Sequence, residues 1–228
     1  MTNQTTLGHS FKAMKTLNFY FDFLSPFSYF AWLRLQSHKE LNIHYKPVAL
    51  GPLLNHWSIK GPGEVQPKRE FLLKQCLRYA AKNKIEFTTP KTHPFNSLYA
   101  LRLALKSTAG DLQAEVIKTL WLAGWKTRID MGEPEELKRA LSEAGLPAEE
   151  LYEKSFSKEA RAELKANIQE AISYGAFGVP SMVIENELFW GNDAFEDMLN
   201  FLNGADLLDR AKLQNLLDST PRAAAQSL

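Results

Sequence analysis

Apolar positions along the chain follow two rhythms, and the change between them divides it. Thr16–Asp22 (TLNFYFD) is rich in aromatics at strand length, the pattern of a largely buried strand starting near Thr16. Ser25-Pro26 follows, and the chain then runs apolar with good helix formers from Phe27 to Leu35. A Ser that can cap, with Pro at the first helical position, predicts a helix start there. Asn42–Leu50 (NIHYKPVAL) sets Ile43, Tyr45 and Pro47 against polar neighbours, a second strand parallel to the first, with Pro47 unpaired or at an edge.

From Gly51 to about Ala171 the apolar residues recur at three- and four-residue steps, the helical rhythm. Leu72/Cys76/Tyr79, Leu98/Leu101/Leu105, Leu112/Val116/Leu120, Leu137/Leu141/Ala144 and Leu164/Ile168/Ile172 are its stripes. Gly110 and Gly145 sit where helices should stop, and Pro134 and Pro147 near where they should start. Ser181–Ile184 and Leu188–Trp190, parted by Glu185-Asn186-Glu187, read as a hairpin. Asn192-Asp193 then open an amphipathic helix with Phe195, Met198, Leu199 and Leu202, closed near Gly204. Leu207–Leu217 adds one more helix, and Ser219–Leu228 reads as a loose end, as do the polar residues 1–15.

Joined across the helical block, β-α-β and α-β-β-α give the element order of a thioredoxin fold. The predicted class is therefore α/β, a thioredoxin-like fold with a large all-helical domain inserted after the first βαβ unit. Residues 16–52 form its N-terminal βαβ part, 53–160 the inserted helical domain, 161–204 the αββα part, and 205–228 a C-terminal helix and tail.

Composition narrows the class of partner. Over 228 residues, 27 Lys+Arg against 26 Asp+Glu leave a net charge of +1, which argues against a general nucleic-acid binder or a polybasic membrane patch. No apolar run approaches the ~18 residues of a membrane helix. The single cysteine, Cys76, excludes an internal disulfide, and no signal-peptide pattern opens the chain, so a cytoplasmic protein acting on a small partner is expected. Five histidines without H-x-x-x-H spacing give no metal site, and no phosphate loop is present.

Three loops carry candidate chemistry. In Phe23–Ser28 (FLSPFS), a helix N-terminus aims its free N–H groups and positive dipole end above Ser25. A serine there cannot form a disulfide, but its hydroxyl can donate to an anion such as a bound thiolate; it can equally be only an N-cap. Val179-Pro180 lies in a tight turn before the hairpin. A cis bond would free the preceding N–H and C=O for an extended ligand, although only about 5–6% of X-Pro bonds are cis. Asn192-Asp193 stands at a third helix start, where Asp193 could bind an ammonium group and free N–H groups a carboxylate, or the pair could simply cap.

With these loops in place, the chain resembles the 2-hydroxychromene-2-carboxylate isomerases and kappa-class glutathione transferases, relatives of DsbA-like oxidoreductases. The resemblance spans about residues 16–203, carried by FYFDFLSPFSYFA (Phe19–Ala31), LLNHWSIKGPGEVQPKR (Leu53–Arg69), HPFNSLYALRLAL (His93–Leu105) and FGVPSMVIENELFWGNDAFEDML (Phe177–Leu199). It implies a homodimeric enzyme with glutathione as cofactor, Ser25 holding the glutathione sulfur as thiolate. Lys68, Val179, Pro180, Asn192 and Asp193 would bind the rest of the peptide. The reaction implied is reversible thiolate addition to a conjugated aryl-pyruvate, rotation about the resulting single bond, and elimination. Leu24, Phe27, Trp57 and Trp125 could wall an aromatic pocket or be core, and Asn96 could contact substrate or cap a helix. Gly61-Pro62-Gly63 departs from the family's Gly-Asn, leaving its ligand-contacting asparagine without a counterpart. A kappa-type transferase conjugating small electrophiles and a non-catalytic peptide-binding module remain alternatives. Disulfide exchange does not, since Ser25 and Ser28 supply no thiol.

Overall fold

The computed structural model describes residues 14–220; of the expected tails at 1–15 and 219–228, residues 1–13 and 221–228 lie outside the described residues. Four strands, β1 (Lys15–Phe21), β2 (Leu41–Pro47), β3 (Ser181–Ile184) and β4 (Glu187–Trp190), form one sheet in the order β2-β1-β3-β4. β1 is parallel to β2 and antiparallel to β3, and β3 is antiparallel to β4. Helix α1 (Pro26–Leu35) links β1 to β2. Between β2 and β3 run α2 (Leu50–His56), α3 (Gln66–Asn83), α4 (Leu98–Leu103), α5 (Lys106–Ala109), α6 (Gln113–Trp125), α7 (Pro134–Glu143), α8 (Ala148–Lys154) and α9 (Lys158–Ser173). Helices α10 (Phe195–Leu202) and α11 (Arg210–Ser219) follow the hairpin. The chain has the thioredoxin-like architecture expected from its element order, and β2, with Pro47 at its end, is an edge strand.

Strand β1 explains how the halves of the molecule are joined. Alternate residues of a strand face opposite sides, and both sides of β1 are buried. Leu17, Phe19 and Phe21, with Phe23 just beyond, enter a core built with the helical segment, while Tyr20 packs on the other face with Val48, Ala171, Val179 and Val183. The helical segment supplies α6 to the first face. Trp121 lies 4.6 Å from the Phe23 ring and 5.7 Å from Phe21, and Trp125 stacks on Phe87 at 5.7 Å. The same buried cluster continues to Leu137, Leu141 and Leu151 of α7 and α8. One core therefore runs from the sheet through the inserted helices. The expected boundary at 160/161 falls inside α9, which packs on β2 and α2 as well as on α4 and α5. Asn167 of α9 donates to the Pro47 carbonyl at 3.1 Å in the interior.

Local departures from expectation have local causes. The hairpin turn has two residues, not three. Glu185 and Asn186 sit at φ of 50° and 70°, as a type I′ turn requires, so Glu187 pairs with Ile184 and starts β4. The expected helix over Leu98–Leu105 stops at Leu103, and α5 restarts after Leu105, its first N–H groups capped by the Glu163 carboxylate at 3.0 and 2.7 Å. Helix α10 begins at Phe195, with Ala194 rather than Asn192-Asp193 at its cap. Helix α11 buries none of its residues and is tied to β4 by the Arg210–Glu187 ion pair at 2.8 Å.

A shared core predicts shared cooperativity. Truncating the buried Trp121 to Ala is expected to cost about 3–5 kcal/mol. Urea unfolding of wild type and variant, followed by far-UV dichroism and tryptophan fluorescence, should give coincident single transitions. Two separated transitions would show that the helical segment unfolds on its own.

Candidate active site

The loop from Asp22 to Ser25 has to leave the core strand β1 and present Ser25 at the start of α1, and each step is pinned. Asp22 is fully buried; its carboxylate accepts from Leu24 N–H at 3.0 Å and from Leu50 N–H at 2.8 Å, and Ser97 adds a side-chain hydrogen bond. Ser25 N–H donates to the Asp22 carbonyl at 3.0 Å. The Phe23 carbonyl takes the Trp125 indole N–H at 3.0 Å, and the Leu24 carbonyl takes Nε2–H of His93 at 2.9 Å. Burial pushes His93 below its usual 6.5, so at neutral pH the ring carries one proton, placed on Nε2 by that carbonyl. Arg69 in turn donates to the His93 carbonyl at 2.9 Å.

Ser25 is 8% exposed and is the cap of α1: its Oγ accepts from Ser28 N–H at 3.2 Å. Pro26 carries no N–H, and Tyr29 N–H bonds the Ser25 carbonyl at 3.2 Å. Phe27 N–H is thus the first-turn donor with no acceptor inside the helix. The Ser25 hydroxyl also donates to the Val179 carbonyl at 3.3 Å, across 154 residues of chain. The Val179–Pro180 bond is cis, which frequency alone argued against. The Pro180 carbonyl then accepts from Gly191 N–H at 2.9 Å, bringing the Asn192-Asp193 loop beside the cis-proline loop. Gly191 takes φ of +90°, and a Cβ there would lie 2.4 Å from Asp193 Oδ1. Asn192 is 6% exposed with its Oδ1 unpartnered, whereas Asp193 is exposed. The three loops singled out in the sequence are thus linked in series, through the cis-proline loop in the middle.

The remaining sequence candidates divide. Leu24 and Phe27 are half-buried beside Ser25. Trp57 is 43% exposed and bonds the Ala176 carbonyl through Nε1 at 2.9 Å, which puts it against the cis-proline loop. Trp125 is fully buried and supports the Ser25 loop from behind through its bond to the Phe23 carbonyl, the core alternative of its two readings. Asn96 accepts from Leu98 N–H at 3.2 Å in a turn just ahead of α4, whose cap is Ser97. Lys68 is exposed on the first turn of α3, next to Arg69. Gly61-Pro62-Gly63 enters a 3₁₀ turn in which Gly61 N–H bonds Glu64 Oε1 at 2.6 Å.

Asp22, His93 and Arg69 were not among the sequence candidates. Asp22 read as the residue that ends a strand; a carboxylate directly behind an aromatic strand was the available signal. Phe177 and Trp190 were also missed as a pair, their rings 4.7 Å apart and both partly exposed flanking the cis-proline loop. Gly178 is required there, since a Cβ would lie 2.6 Å from Trp190 Nε1. Among the described residues no His/Cys/Asp/Glu cluster could hold a metal, and no helix is long and apolar enough to cross a membrane.

A thioredoxin-type sheet, a helix N-terminus and a cis-proline loop facing it define the class. The profile of the DSBA-like thioredoxin domain matches residues 16–203, and the chain belongs to that family. It is 30% identical over 194 residues to a 2-hydroxychromene-2-carboxylate isomerase of Sphingobium xenophagum, covering 82% of this chain and 98% of that one. It is 26% identical over 207 residues to human glutathione S-transferase kappa 1, covering 82% and 91%. The solved structure of a 2-hydroxychromene-2-carboxylate isomerase superposes with a TM-score of 0.74 at 26% identity, covering 90% of this chain and 100% of that one.

The buried carboxylate has a pH signature. Desolvation pushes Asp22 up to about 6 from an ordinary 3.8, against the opposing hydrogen bonds from Leu24, Leu50 and Ser97. An acid raised on folding holds a proton that the unfolded chain has released, so its charge destabilises the fold above pH 6 and that cost fades as pH falls towards 4. The unfolding free energy of wild type relative to Asp22→Asn should therefore move in favour of wild type, by on the order of 1–3 kcal/mol, between pH 7 and pH 4 in urea titrations. A difference independent of pH would show that Asp22 keeps an ordinary carboxylate's titration.

Proposed function

We propose that the protein is a glutathione-dependent isomerase of the 2-hydroxychromene-2-carboxylate type, interconverting that acid with trans-o-hydroxybenzylidenepyruvate. The observation that carries the reading is the pair of bonds joining the three loops, Ser25 Oγ to the Val179 carbonyl and Gly191 N–H to the Pro180 carbonyl. They support a reading in which a hydroxyl at a helix N-terminus, a cis-proline edge and a buried amide acceptor serve one ligand. That is what an extended tripeptide with a thiol in its middle needs. The relatives named as glutathione transferases and isomerases support the same choice.

The residues present fit glutathione. Asn192 Oδ1, buried and without a partner, suits the ammonium of a γ-glutamyl group, with the exposed Asp193 adding negative charge. The extended backbone at Val179-Pro180 suits a peptide strand. Lys68 and Arg69, adjacent cations on α3, suit a carboxylate. When bound, glutathione supplies the sulfur that adds to the substrate's conjugated double bond and leaves after rotation.

Each side chain then has a stated task. The Ser25 hydroxyl turns from the Val179 carbonyl to donate to the sulfur, and with Phe27 N–H and the α1 dipole it holds negative charge there. Hydrogen bonds from Trp125 and His93 keep the Phe23 and Leu24 carbonyls turned into protein, away from that anion. Leu24 and Phe27 give the aryl ring of the substrate an apolar wall, with Trp57 beside the cis-proline loop. A kappa-type transferase is the second reading, favoured by the human relative.

The products separate the two. Mixed with glutathione and trans-o-hydroxybenzylidenepyruvate, the protein should deplete the pyruvate while free thiol stays constant; stoichiometric loss of thiol would establish the transferase, and no change in either would defeat both. Ser25→Ala should lower the rate by roughly 10²–10³ with little loss of glutathione affinity, the cost of an oxyanion-hole donor. Ser25→Cys should form a mixed disulfide with oxidised glutathione, one glutathione thiolate leaving as the new S–S bond forms, visible by mass. Cys76 gives a clean background, because burial pushes its thiol up to about 12. Absence of the adduct would mean that position 25 does not face the sulfur.

A further inference from the structure

Helix α1 reaches the candidate site at both ends. Its N-terminus carries Ser25, and its last turn carries Arg34, which no reading of the sequence picked out. Arg34 is 24% exposed in its side chain and faces α10 and the loop before it. One guanidinium nitrogen donates to the Asn192 carbonyl at 3.0 Å, and another pairs with Glu196. The guanidinium carbon lies 3.8 Å from the centroid of Phe195, whose ring is fully buried. A single planar cation thus binds the residue bearing the unpartnered amide oxygen, the first residue of α10, and a carboxylate in that helix's first turn.

The loop has little else to define it. Asn192-Asp193 does not cap α10, Gly191 occupies the left-handed region, and the Pro180 carbonyl holds Gly191 from one side only. Arg34 holds the other side. We infer that Arg34 is a positioning residue for the γ-glutamyl end of the proposed glutathione site: it fixes the Asn192 backbone, and with it the place of the unpartnered Oδ1 that would accept from the ligand's ammonium. The inference rests on the glutathione reading and adds the residue that shapes one end of the site. Lysine can replace it only in part, because an ammonium lacks the planar fork that bonds the carbonyl and the carboxylate while lying flat on the ring.

Calorimetry with glutathione and with cysteinylglycine, which lacks the γ-glutamyl group, tests the idea on wild type, Arg34→Lys and Arg34→Ala. Wild type should prefer glutathione. Arg34→Ala should weaken glutathione by roughly 10- to 100-fold, the range for a lost hydrogen bond from a charged group. Cysteinylglycine should be almost unaffected, so that the preference collapses. Arg34→Lys should recover only part of the loss, and KM for glutathione should rise far more than kcat falls. Glu196→Gln, at an exposed carboxylate, is a milder second variant expected to weaken glutathione a few-fold, should Arg34→Ala fail to fold. Equal losses for both peptides, or unchanged glutathione affinity in folded variants, would overturn the role of Arg34 while leaving the glutathione reading intact. Failure of wild type to bind glutathione would overturn both.

Discussion

The buried carboxylate of Asp22 is the constraint on which the rest of the site depends. A strand that is core on both faces has to end in a turn whose backbone polar groups are still in the interior, and each unpaired group there would carry a cost. Asp22 meets it by accepting from Leu24 and from Leu50 together. One side chain therefore fixes the Ser25 loop and the start of α2 relative to each other. Burial works against the charge, and it still persists at neutral pH because three donors converge on it. Together with the bonds from Trp125 and His93, it sets the place from which the Ser25 hydroxyl meets the Val179 carbonyl.

The helical insertion matters to the site for the same reason. Trp125 and His93 belong to the segment between β2 and β3, yet they bond the two carbonyls that lead into Ser25. The loop that carries His93 is itself held to α6, through Thr88 N–H on the Trp125 carbonyl at 2.9 Å. Because the aromatic core is continuous, Trp125 packs in the same buried cluster as the residues of β1. The insertion is thus both a cover over one face of the sheet and the supporting wall of the Ser25 loop.

Much of this was legible in the sequence where local physics decides it. The aromatic strand, the Ser-Pro helix start, the hairpin and the proline and glycine punctuation each depend on residues within a few positions of one another. The three loops were legible too, as separate weak signals. What joins them was not: Ser25 to Val179 spans 154 residues. The cis form of Val179–Pro180 is likewise a tertiary outcome, disfavoured by frequency and present in the fold. Trp125 stayed open between the two roles because an aromatic on a helix looks the same in sequence whether it lines a pocket or fills a core. Asp22 and Arg34 were passed over because a charged residue at an element's end reads as solvated, and only the fold shows that one is buried and the other clamped.

Helix α1 gives the arrangement its mechanical logic. Ten helical residues span about 15 Å, and both ends of that rod are attached to loops that are distant in sequence. At one end the contact is a single neutral hydroxyl, free to exchange its carbonyl for a stronger acceptor. At the other it is a cation with three partners, which has no comparable freedom. Such an asymmetry suits a site in which one end of a ligand must be held still while charge changes at the other. The distance between the two contacts is then set by helix geometry, which side-chain motion alters little, and not by the loops themselves.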